Sequence, residues 1–92
     1  MYALVHCRYE ALTVEDEVRL FTTHDAAWEV MTGEFVEANR RNGDEPLMPV
    51  EGGDVLDSHD RGTVLGYVDD DFAYMQRGED RWAIFHVGEP LR

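Results

Sequence analysis

An α+β fold with one antiparallel sheet and a single helix on one face is the architecture this sequence predicts. Three observations predict it. Apolar and polar residues alternate with period two near both ends of the chain. The one clear helical period lies between them, after Thr23. Beyond it the chain runs through loop-type residues and then returns to strand-like alternation. The predicted order is β-β-α-β-β-β within a single domain spanning residues 1–92, because a chain of this length supports one modest core.

Residues 2–10, YALVHCRYE, read as the first strand. Ala3, Val5, Cys7 and Tyr9 form an apolar set expected to face the core. Tyr2, Leu4, His6, Arg8 and Glu10 form the other set, expected to meet solvent from His6 onward. Residues 15–22 give a second strand, with Val18, Leu20 and Thr22 expected inward and Glu15, Glu17 and Arg19 outward. Thr23 is an N-cap residue, and Asp25 sits in the first turn, where the helix dipole favours an acid. Ala27, Val30, Met31, Phe35 and Ala38 then recur on one stripe, with Trp28 at its flank. Gly33 costs a mid-helix position about 1 kcal/mol against alanine, which a close approach to the sheet would justify. Arg40, Arg41 and Asn42-Gly43 mark the C-terminal end.

Residues 44–62 change character, being rich in Pro, Gly and acids. They predict a long ordered acidic loop that tucks Leu47, Met48, Val50, Val55 and Leu56 beneath itself, with a short helical turn near Val55. Three further strands follow at 63–68, 72–76 and 81–87. The triplet Asp69, Asp70, Asp71 breaks the first from the second, and Arg77–Asp80 turns the second into the third. Alternation groups Phe72, Tyr74, Trp82 and Ile84 on one face, and Ala73, Met75, Ala83, Phe85 and Val87 on the other. Both sets are apolar. One helix cannot cover both, so the 44–62 loop or a partner is expected to cover the second.

The charge is lopsided: 20 Asp and Glu against eight arginines and no lysine give a formal net charge of −12. Phosphates and anionic membrane surfaces demand a basic face, so direct binding to either is excluded. The chain holds no apolar run of the ~18 residues a bilayer span needs. MYALVHCRYE lacks the basic start and apolar stretch of a signal peptide, and Cys7, the single cysteine, cannot form an internal disulfide; the expected location is the cytoplasm. Arginine-only usage fits a GC-rich genome or a salt-adapted cell, and either would explain part of the acidity.

Chemical constellations are sparse. Cys7 and His86 could meet on neighbouring strands as a thiolate–imidazole pair, although Cys7 reads better as a small core residue. Asp54, Asp57, His59, Asp60 and the Asp69–Asp71 run carry ligand-type atoms, but their spacing does not match a calcium loop. His6, His24, His59 and His86 are too scattered for zinc. Asp57, His59 and Asp60 remain the candidate centre for a small metal-binding protein or enzyme. Gly52-Gly53 is a turn signal without the GK[ST] of a phosphate loop. The expectation is therefore no enzyme, no metal and no cofactor.

What remains is the charge. Carboxylates held on a rigid surface steer association with a basic partner and can imitate a phosphate backbone. The candidate contacts are Glu10, Glu15, Glu17, Asp54, Asp57, Asp60, Asp69, Asp70 and Asp71. In size, acidity and short-strand layout the chain resembles the small acidic proteins of phages and other mobile elements, which include DNA mimics and anti-CRISPR inhibitors. That resemblance rests on general character over the whole chain and on no diagnostic motif. It implies occupation of a basic nucleic-acid channel in a host defence protein. The second reading is a small acidic homodimer that buries an apolar interface of Phe72, Tyr74, Trp82 and Ile84.

Overall fold

The computed structural model describes residues 1–10, 13–49 and 51–88, with the backbone alone at 9, 10 and 13–15. Its elements are β1 (Tyr2–Glu10), β2 (Thr13–Phe21), α1 (His24–Arg41), β3 (Pro46–Leu47), β4 (Gly53–Asp57), β5 (Val64–Val68), β6 (Phe72–Met75) and β7 (Arg81–His86). The strands form one seven-stranded sheet in the order β2-β1-β7-β6-β5-β4-β3. Every pairing is antiparallel. β3 to β7 run as a meander, and β7 closes against β1.

The helix starts where its residues say it should. Thr23 adopts an extended cap conformation, its hydroxyl accepts from the Ala26 amide at 3.1 Å, and Asp25 lies in the first turn. Ala27, Met31, Phe35 and Ala38 are buried, as the stripe predicts. α1 joins the two edge strands, so it must recross the whole sheet. At ~1.5 Å per residue its 18 residues span ~27 Å, close to the ~29 Å between the edges of seven strands spaced ~4.8 Å apart. The core lies between the helix and one sheet face. Trp82, Phe35, Leu4, Met31, Val55 and Val68 are fully buried, and the Phe35 and Trp82 rings meet edge-on at 6.0 Å. Gly66 admits Phe35 to the sheet: a Cβ there would run into the Tyr74 carbonyl oxygen and lie 3.1 Å from the Phe35 ring.

Several sequence expectations are corrected. The sheet has seven strands, not five. Residues 44–62 are not loop throughout, because β3 and β4 extend the sheet through them; Val55 lies in a strand, not in a helical turn. Pro46 can begin an edge strand because an edge position does not require its missing N–H. Gly33 makes no close approach to the sheet, since nothing lies within 4 Å of a Cβ placed there.

The first hairpin has the opposite phase to the one expected. The register pairs Leu4 with Arg19 and Ile84, which puts Tyr2, Leu4 and His6 on the helix side; Val18 and Leu20 are 61% and 60% exposed. Apolar content does not set the phase, because both faces carry apolar residues. The observed phase buries Leu4 completely and lets Arg19 and His6 reach the Glu34 carboxylate on the helix. The last hairpin also divides differently. Ala73 pairs with Trp82, so Trp82 and Ile84 are buried under the helix, while Phe72 and Tyr74 lie on the opposite face with Ala83 and Phe85.

Candidate partner-binding surface

The sheet face opposite the helix is the dominant surface feature. The molecule is a slab of 53 × 35 × 15 Å, two layers deep. Among the described residues no element packs on this face, which exposes Val18, Leu20, Phe72 and Phe85. Its β5–β6 portion is aromatic. The Tyr67 and Tyr74 rings stack at 5.9 Å, and the Phe72 ring lies 5.6 Å from Tyr74 and 6.3 Å from Tyr67. Strand alternation brings these rings together: Tyr67 and Tyr74 are directly opposed, and Phe72 precedes Tyr74 by two residues.

Acids border this cluster. Asp54 is opposite Tyr67 in register. Asp69 accepts the Tyr67 hydroxyl at 3.0 Å through one oxygen and the Asp71 amide at 2.9 Å through the other. The Tyr67 phenol is held above its ordinary pKa, first by that hydrogen bond, then by the charge of Asp69, by burial and by the charge of Asp54. Trp28 donates its indole N–H to the Asp69 carbonyl at 3.1 Å, which pins the turn to the helix. His24 lies 2.6 Å from the Asp70 carbonyl and 3.2 Å from the Asp71 carboxylate. Asp54, Asp70 and Asp71 remain exposed. Arg8, Arg19, Arg40 and Arg77 pair elsewhere, with Asp80, with Glu17 and Glu34, with Glu45 and with Asp44.

The remaining predicted acids are dispersed. Asp57 is buried at the far end of β4, where it accepts the His59 amide at 3.0 Å. Asp60 accepts the Gly62 amide at 3.1 Å and the Thr63 hydroxyl at 2.9 Å, so it holds the β4–β5 turn. With these oxygens committed to the turn, Asp57, His59 and Asp60 do not form a ligand set. Among the described residues no group of three or more potential metal ligands assembles. Glu17 sits on β2 against Arg19 at 2.9 Å. The side chains of Glu10 and Glu15 lie outside the described residues. Phe72 and Tyr74 belong to the open face, whereas Trp82 and Ile84 do not.

Cys7 is half-buried on the open face, not in the core. It is opposite Arg81, while His86 is opposite Tyr2 at the other end of the same strand pair, so the two make no dyad. The Cys7 thiol is raised above its ordinary pKa, first by its hydrogen bond with Asp16, then by burial and by the Asp16 charge, against a lowering by Arg81.

One polar cluster was not visible in the sequence. On the helix side, His6 stacks on Trp82 at 4.6 Å and lies 2.7 Å from Asp80. Glu34 accepts from Arg19 at 2.6 Å and from the Trp82 indole at 3.1 Å. Burial alone would raise the Glu34 carboxyl, but the hydrogen bonds from Arg19 and Trp82 and the charges of Arg19 and His6 hold it below its ordinary value. The cluster closes the polar end of the helix–sheet interface. Its members come from β1, β2, α1, β7 and the turn before β7, and no local spacing could have announced it. No family model, curated protein or solved structure matches the chain.

Proposed function

We propose that this chain is a non-enzymatic binding module that docks on the basic surface of a nucleic-acid-binding protein and blocks it. The observation that supports the reading is the joining of the Tyr67, Phe72 and Tyr74 cluster to Asp54 and the Asp69–Asp71 turn. Aromatic anchors within a charged rim are the anatomy of a protein interface. A surface built for phosphates offers arginines, whose guanidinium planes stack on tyrosine while their charge meets carboxylates. Of the nine acids named from the sequence, Asp54 and Asp69 adjoin the aromatic rings, and Asp70 and Asp71 continue the same turn toward His24 on the helix side.

The test is capture of a partner from cells at about 0.05 and about 0.5 M NaCl, followed by competition with DNA or RNA. The expected result is a basic partner that is lost at high salt, displaced by nucleic acid, and weakened by Asp70→Lys with Asp71→Lys or by Phe72→Ala. Binding that ignores salt sinks the proposal, as does a partner that still takes up nucleic acid while bound.

A further inference from the structure

The β2–β1–β7 part of the open face is separate from the aromatic cluster and has its own pattern. Three cross-strand rows are fixed by register. Asp16, Cys7 and Arg81 form the first; Val18, Val5 and Ala83 the second; Leu20, Ala3 and Phe85 the third. Each row has β1 at its centre. The outer positions carry opposite charges in the first row and apolar side chains in the other two. Leu20 and Phe85 are 60% and 55% exposed.

We propose that a second copy of this chain covers this area, stacked face to face about a two-fold axis that runs along β1. That rotation lays the β2 strand of each copy over β7 of the other. Asp16 then meets the Arg81 of its twin, and Leu20 meets the twin's Phe85. The small or short side chains of Ala3, Val5 and Cys7 lie on the axis, where each faces itself. An isologous contact needs this self-complementarity. An axis along β7 would instead set Arg81 against itself, and edge pairing through β2 would align the Asp16-Glu17 acids of two copies. Sheet-on-sheet packing at a modest angle is an established way to close such a face. Three strands make a small interface, so the dimer is expected to be reversible, with a dissociation constant on the order of micromolar. β4 to β6 stay outside the footprint, so the aromatic surface remains free and appears twice.

The experiment is light scattering and sedimentation of the purified chain alone, up to several hundred micromolar. The expected species has twice the 10.6 kDa of the chain. Leu20→Asp should weaken association at least about tenfold, with an unchanged far-UV spectrum to show that the fold persists. Asp16→Arg and Arg81→Asp should each weaken it, and the double swap should restore it. Cys7, the single cysteine, lies at the centre of the proposed contact, so its thiol should react with a maleimide more slowly as concentration drives the chain into the dimer. Self-association should tighten as salt screens two strongly negative particles, whereas docking on a basic partner should weaken. The opposite salt signs keep the two proposals separable. A chain that stays monomeric at all concentrations overturns the inference. So does a dimer indifferent to Leu20→Asp, or one in which Cys7 stays as open to maleimide as in the monomer.

Discussion

At the scale of single residues, Gly66 is the position least open to change. An added methyl would meet the Tyr74 backbone, not a movable side-chain tip. Gly66→Ala is therefore expected to cost about 3 kcal/mol, the upper end of overpacking penalties. Urea denaturation measures it, and a loss below about 1 kcal/mol would show that β5 can shift away from β6. Glu34 gives a pH signature. Its carboxyl is held below the ordinary value of 4.5, so its contribution is full above that value and fades as pH falls through the lower, folded-state value. The stability gap between the native chain and Glu34→Gln should shrink as pH drops below about 4.5; a gap constant with pH would exclude the linkage. Residues of this kind are the least legible in sequence. His6 looked like a solvent residue because its partners, Asp80 and Glu34, are remote in the chain, and alternation reports only that two faces exist.

At the scale of elements, the helix was legible in its bounds and most of its buried stripe, although Val30 is only part-buried and Asn39 is buried unforeseen. Its cap, stripe and stop are all local signals, and the structure uses each of them. Phe35→Ala should cost about 3–5 kcal/mol, the range for a buried aromatic; calorimetry or denaturant melts would place it, and a value under about 1 kcal/mol would mean that the Phe35 site repacks. The strand pairs β1–β2 and β6–β7 were legible as hairpins, but not which face of each met the helix. β3 and β4 were missed for a different reason. β3 is two residues long, and β4 begins with a glycine and shifts register against β5 between Val55 and Leu56. Neither offers a run of alternation; β4 is a strand because β5 presents an edge to it, and β3 because β4 does in turn. Of the proposed binding surface, the acids were legible as composition. Their partition into turn-holding residues such as Asp60 and exposed ones such as Asp70 depends on tertiary contacts.

At the scale of the whole molecule, the excess of 20 acids over eight arginines on a thin slab is self-repelling. Salt screens that repulsion over a Debye length of ~10 Å at 0.1 M, so the melting temperature should rise from low salt to about 0.5 M NaCl. A flat or falling curve would mean that the acids are already compensated. The placement of β1 between β2 and β7 has a consequence for biosynthesis. Residues 2–7 find their second set of neighbours at residues 81–86, almost the full length of the described chain away. As the polypeptide leaves the ribosome, the first hairpin and the helix emerge early, yet the inner border of β1 must wait unpaired until β7 is translated. At about 5–20 residues per second the wait lasts several seconds, during which Leu4 and the backbone groups beside it are open to other nascent chains. That border of β1 is therefore the part of the nascent chain with the most to gain from early chaperone cover.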